Sequence, residues 1–128
     1  MILLDTCVLL WLVDDQKCLS DRAKKNISEN VDGLFVSAMS AFELGVKYKK
    51  GLLTLPLPVE DWFSMALRLH GLTELPINSQ IALLSTQLPT IHNDPADRML
   101  IASAMIQKFT LLTPDSHIRA YPDVKTLW

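Results

Sequence analysis

The chain has 128 residues, enough for one compact domain with a single core and too few for a second. Hydrophobic residues make up 49% and charged residues 20%, a globular composition that excludes a disordered chain. The formal net charge of −2 excludes a whole-molecule attraction to nucleic acid or anionic membrane, so any polyanion site has to be local.

The first segment, Met1 to Val13, is apolar enough to suggest a signal peptide. It has no basic opening, Asp5 interrupts it, and Asp14-Asp15 stand where small residues would mark cleavage, so it reads as the start of the folded protein. No apolar run approaches the roughly 18–20 residues of a membrane span, and a cytoplasmic protein is expected. Cys7 and Cys18 have neither metal-site spacing nor a disulfide framework, which fits a reducing compartment; they read as small buried hydrophobes.

Ile2-Leu3-Leu4 is a short apolar strand ending at Asp5, and Val8 to Val13 continues as a helix. Ser20-Asp21 caps a polar helix reaching about Asn30, and Leu34-Phe35-Val36 is a second buried strand. Ser40-Ala41-Phe42-Glu43 matches the capping-box pattern and predicts a helix opening there and stopping at Gly51. Pro56 and Pro58 mark a loop, after which Val59, Trp62, Phe63, Ala66, Leu67 and Leu69 recur at helical spacing up to His70. Leu72 to Leu75 predicts a third strand, Asn78 to Leu88 a helix, and Pro95 to Lys108 another helix, apolar on most sides. Thr110 to Thr113 predicts a further strand, and Val124 lies in a last weak one. Short apolar strands alternating with helices predict a three-layer α/β/α sandwich: a central, mostly parallel sheet covered on both faces in a single domain over 1–128.

That topology sorts the acids. Asp5 follows the first strand and Asp115 follows the 110–113 strand, so both fall at carboxyl ends of strands. Glu43 falls in the first turn of the helix leaving the second strand. The helix carrying Asp97 turns tightly into the 110–113 strand, so its start lies at the same edge. Open parallel sheets bind ligands at that edge, where the strand order switches. Taken singly, each acid has an ordinary reading: a turn or cap for Asp5 and Asp115, a capping box or a Lys47 pair for Glu43, a helix-dipole contact for Asp97. Capping does not require all of them to share one edge, and carboxylates so placed repel unless a cation is present. Hard oxygen donors suit Mg²⁺ or Mn²⁺, and such a cation serves phosphoryl chemistry. Asp94, just before Pro95, reads instead as the N-cap of its helix.

The segments "MILLDTCVLLWL", "SAMSAFELGVKYKKGLLTLP", "HNDPADRMLIASA" and "LLTPDSHIRAYPDVKTLW" together resemble the PIN-domain ribonucleases, more narrowly the VapC-type toxins. The resemblance spans nearly the whole chain, with 55–90 its least distinctive part. It implies that Asp5, Glu43, Asp97 and Asp115 form a metal-binding acidic quartet, with Mg²⁺ or Mn²⁺ as cofactor and RNA as substrate. It further implies a small cognate antitoxin protein and a homodimer. Cys7 stands where many relatives carry Asn, and Ala96 where an aromatic is common; neither removes a carboxylate.

Lys47 and Arg98 are candidate contacts to RNA phosphates, Lys47 one helical turn beyond Glu43 and Arg98 beside Asp97. Lys49 and Lys50 read equally as a solvated face. His92 fits the third motif but reads as structural, and His70 and His117 carry no signal. The Trp and Phe residues fit core or interface positions better than base-stacking platforms, which have basic neighbours. Two other classes compete with the nuclease: a phosphate-accepting receiver-like switch, which expects adjacent acids after the first strand where this chain has Asp5-Thr6-Cys7, and a catalytically idle protein-binding module.

Overall fold

A computed structural model describes residues 1–128. Its elements follow the order β1 (Ile2–Leu4), α1 (Thr6–Asp14), α2 (Asp21–Glu29), β2 (Leu34–Ser37), α3 (Ala38–Lys49), α4 (Val59–His70), β3 (Thr73–Leu75), α5 (Ser79–Gln87), α6 (Pro95–Gln107), β4 (Thr110–Leu112), α7 (Ser116–Arg119) and β5 (Thr126–Leu127). A short 3-10 turn, Gln16–Cys18, links α1 to α2. No helix is long and apolar enough to cross a membrane.

The strands form one five-stranded sheet in the order β3-β2-β1-β4-β5. Every neighbouring pair is parallel, so the sheet is wholly and not merely mostly parallel. The chain runs outward from β1 to β3, then crosses back to place β4 on the other side of β1. The switch in strand order therefore lies between β1 and β4, where loops diverge and leave a crevice at the carboxyl edge.

Successive strand residues face opposite sides, and β1 shows the consequence. Ile2 and Leu4 join the core formed with α1 to α4 around Leu9, Leu44 and Trp62. Leu3 joins the opposite core, with Leu100, Ile101 and Ile118 of α6 and α7. Leu3 and Leu4 are both fully buried, each contributing about 1.5–3 kcal/mol of transfer free energy. Trp62 is also fully buried, and its indole Nε1 has no hydrogen-bond partner.

Caps explain most boundaries. Ser20 and Asn78 cap α2 and α5 by accepting from Ala23 N and Ile81 N. Gly71, at φ 61, closes α4 in the left-handed region that only glycine enters freely. Lys108, at φ 58, ends α6 one residue before the predicted limit.

The predicted capping box is not formed. Helix α3 starts earlier, because Ser37 accepts from Met39 N and becomes the N-cap. Glu43 thus sits in the second turn, free to reach another element. Two further differences are β5, which forms at Thr126–Leu127 and not at Val124, and α7, which the pattern at 116–119 is too short to announce. Cys18 is exposed and Cys7 half-buried, so neither is the fully buried hydrophobe expected.

Candidate active site

Asp5 leaves β1 and caps α1, its Oδ1 accepting from Thr6 N at 2.7 Å. Its Oδ2 accepts from the Thr113 hydroxyl at 2.7 Å. Thr113 Oγ1 also accepts from Asp115 N at 3.0 Å, so one hydroxyl joins the ends of β1 and β4 across the switch point. Asp5 is only 6% exposed, unusual for a carboxylate and possible because both of its oxygens have partners.

Glu43 is tied to the same corner from α3. Thr6 Oγ1 donates to Glu43 Oε1 at 2.8 Å and lies 2.8 Å from Ser40 Oγ. A hydroxyl has one proton; Thr6 gives it to Glu43, so Ser40 is the donor to Thr6. The two polar residues expected to cap α3 instead clasp α1.

Asp97 comes from the first turn of α6. Asp94 caps this helix, its Oδ1 accepting from Asp97 N at 3.0 Å, with Pro95 at the first helical position as its sequence predicts. Asp97 Oδ2 lies 2.7 Å from His92 Nε2. The His92 ring stacks on that of His117 with centroids 4.9 Å apart, and His117 Nδ1 lies 3.4 Å from Asp115 Oδ1. Asp115 caps α7, its Oδ1 accepting from His117 N at 2.8 Å.

Electrostatics register the convergence. Burial pushes the Asp5 carboxyl above its ordinary value against the hydrogen bonds from Thr113 and Thr6, and the charge of Asp115 adds to the rise. Burial likewise raises Glu43, with further rises from Asp97 and Asp5, while Lys47 opposes them. Asp97 is pushed up to about 6, first by burial and then by Asp94 and Asp5, against the His92 hydrogen bond. Burial and the nearby Asp5 charge push the Cys7 thiol up to about 12, which keeps it protonated and unfit as a ligand at neutral pH. Crowded, desolvated carboxylates of this kind are relieved by a cation, and their oxygen donors suit a hard divalent ion. The ligand atoms of His92, Asp94 and Asp97 already lie within 4.8 Å of one another.

Of the two basic candidates, Lys47 is exposed and close enough to Glu43 to act on its titration. Arg98 is not available to phosphate as expected. Its Nε donates to Ser85 O at 3.0 Å, Nη2 to Leu88 O at 2.8 Å, and Nη1 to Pro89 O, His92 O and the Tyr121 hydroxyl. The guanidinium is turned onto the loop between α5 and α6, a run of carbonyls that its fork of donors fits. Tyr121 completes the brace, its hydroxyl accepting from His92 N at 3.0 Å and donating to His92 O at 3.1 Å.

The sequence did not mark Thr6, Thr113 or Tyr121 as site residues, and it marked Ser40 only as a cap. The only local signals were a threonine directly after Asp5 and another two residues before Asp115. Tyr121 gave none and Ser40 gave the wrong one, because their partners lie on other elements.

A model of the PIN domain matches residues 2–124. Ribonuclease VapC22 of Mycobacterium tuberculosis is 33% identical to the chain over 130 residues, covering 99% of this chain and 98% of the relative. Solved structures share the fold. VapBC2 from Rickettsia felis, bound to a DNA fragment from their promoter, gives a TM-score of 0.72 at 15% identity, covering 99% of this chain and 98% of that one. DNA-bound VapBC from Salmonella typhimurium gives 0.71 at 16% identity, covering 98% and 96%. The five-stranded parallel sheet with helices on both faces is the fold that these structures share. The chain belongs to the PIN-domain family, as a member of its VapC type.

Proposed function

We propose that the protein is an endoribonuclease toxin that uses a divalent cation, Mg²⁺ or Mn²⁺, to hydrolyse RNA phosphodiester bonds. The observation that carries this reading is the placement of the acids at one sheet edge: Thr113 ties Asp5 at the end of β1 to Asp115 after β4, Thr6 beside Asp5 donates to Glu43, and Asp97 opens α6 against His92. The relative named a ribonuclease, matched over nearly the full chain, supports RNA as the substrate.

Asp5, Glu43, Asp97 and Asp115 would hold the cation. When bound, it would supply positive charge for the scissile phosphate and lower the pKa of an attacking water. Thr113 and Thr6 keep Asp5 and Glu43 oriented by hydrogen bonds, and His92 does the same for Asp97. Lys47, beside Glu43, is the proposed phosphate contact.

The VapBC complexes among the structural neighbours support a small protein antitoxin as partner. The family resemblance adds a homodimer, for which light scattering gives a direct check. Two free cysteines and the absence of a membrane-crossing helix fit work in the cytoplasm.

The test is cleavage of single-stranded RNA with added Mn²⁺, comparing wild type with Asp97→Asn. Loss of cutting in the variant is the expected result; equal activity would sink the assignment. Toxicity on expression, rescued by a small neighbouring open reading frame, would identify the antitoxin.

A further inference from the structure

Tyr121 sits where a phenylalanine would fill the core equally well. It is 3% exposed and belongs to the core that holds Leu100, Ile101 and Ile118. A buried hydroxyl costs free energy unless it finds partners, so the oxygen and not the ring needs a reason. Its partners use its full capacity. The hydroxyl donates to His92 O at 3.1 Å and accepts from His92 N at 3.0 Å and from Arg98 Nη1 at 3.2 Å. One donor and two acceptor positions are all that a phenol offers.

His92 has little else to hold it. It lies in the loop between α5 and α6, outside any helix or strand. Its N–H is taken by Tyr121, and its carbonyl accepts from Tyr121 and from Arg98 Nη1 at 3.1 Å. While the backbone is held in this way, the ring meets Asp97, with Nε2 2.7 Å from Oδ2. The same ring stacks on His117, the two planes 16° apart. His117 and Tyr121 both belong to the segment that Asp115 opens, and Tyr121 N donates to Ile118 O at 3.2 Å. One short segment thus carries an acid of the site and two groups that hold His92 toward another acid.

We infer that Tyr121 is a positioning residue for Asp97: its hydroxyl fixes the backbone of His92, and the His92 ring fixes the direction of the Asp97 carboxylate. The inference rests on the nuclease reading and adds a further layer behind the acids, running from α7 through the loop to α6. Arg98 spreads its donors over the carbonyls of Ser85, Leu88 and Pro89 and so holds the loop as a whole. Tyr121 bonds to His92 alone among the loop residues. Buried as it is, Tyr121 touches neither RNA nor cation, and acts only through the residue it clamps.

The variants are Tyr121→Phe, which removes the oxygen and keeps the ring, His92→Phe, which keeps a flat ring against His117, and the two combined. The probe is Mn²⁺ alone, with Kd from isothermal titration at one pH. Cleavage of single-stranded RNA at a fixed Mn²⁺ concentration gives kcat and KM. Tyr121→Phe is expected to weaken Mn²⁺ binding about tenfold and to lower kcat, with KM for RNA unchanged. His92→Phe should weaken Mn²⁺ binding at least as much. Adding Tyr121→Phe to it should change little more, because losses that act through one residue do not add. In the metal-free protein, Tyr121→Phe should move the His92 Nε2 signal in ¹H–¹⁵N NMR in the direction that Asp97→Asn moves it. A wild-type Kd in either single variant, or an unmoved His92 signal in Tyr121→Phe, would overturn the inference. So would additive losses in the double variant, since the hydroxyl would then act through Arg98 or through a general loosening of the core. Wild type that binds Mn²⁺ in a Tyr121-dependent way but cuts no RNA defeats the nuclease reading and leaves the inference standing. Wild type that neither binds Mn²⁺ nor cuts RNA defeats both.

Discussion

Thr113 donates its hydroxyl proton to Asp5 at 2.7 Å, although 108 residues of chain separate them. Both lie at the carboxyl ends of adjacent parallel strands, so the bond ties those two ends together at the switch point. Hydrogen bonds to charged groups contribute about 1.5–3 kcal/mol, and a buried carboxylate stripped of one is poorly compensated. Thr113→Val should therefore destabilise the fold by about 1–3 kcal/mol in urea unfolding. It should also lower cleavage about 10- to 100-fold, as loss of a partner behind a metal ligand does. Thr113→Ser, which keeps the hydroxyl, should recover most of both.

Asp94 and Asp97 lie in the same turn but have different work. Asp94→Asn should leave stability within a few tenths of a kcal/mol and keep cleavage, since Asn caps as well as Asp. Asp97→Asn should abolish metal binding, read by isothermal titration, together with cleavage. Equal damage from both substitutions would show that the two roles had been assigned wrongly.

Arg98 should behave as a structural brace. Lysine has one point of charge and cannot reproduce a fork of donors to Ser85, Leu88 and Pro89 carbonyls. Arg98→Lys should lower stability by at least about 2 kcal/mol while leaving the salt dependence of RNA binding unchanged. A phosphate contact would give the opposite pattern, with normal stability and a shallower salt slope.

The raised Asp97 carboxyl has a consequence for stability in the metal-free protein. Its folded pKa of about 6 exceeds its ordinary value of 3.8, so between these values the native state holds more proton than the unfolded state. Stability then falls as pH rises from about 4 to about 6, by an amount on the order of 1–3 kcal/mol. Unfolding of the chelator-treated protein across this range should show the decline, and Asp97→Asn should make it shallower, the remainder belonging to the raised Asp5 and Glu43 carboxyls. Saturating Mn²⁺ should also offset it, since the cation binds the ionised site. A wild-type profile that rises through this window would contradict the environment described for Asp97.

The acid site was legible to the extent that each acid is anchored by its own stretch of chain. Asp5 after an apolar run, Asp115 after another, and Asp94-Pro95 opening a helix are local patterns with local causes. Glu43 was legible as a residue but not in its role. Ser40 and Glu43 have the spacing of a capping box, and only Thr6, brought alongside from α1, offers the competing partner that wins. Arg98 was misread for a similar reason, because adjacency to Asp97 in sequence says nothing about which way its long side chain turns.

By itself the sequence determined most of the elements, the three layers and the sheet edge to which the segments bearing the acids lead. Apolar periodicity, caps and the direction of parallel strands all act over short distances along the chain. Tertiary structure alone decided which polar groups meet across elements: Thr113 with Asp5, Thr6 with Glu43, Arg98 and Tyr121 with the loop holding His92. Such contacts depend on side chains converging from separate elements, and neither spacing nor propensity along one segment encodes that convergence.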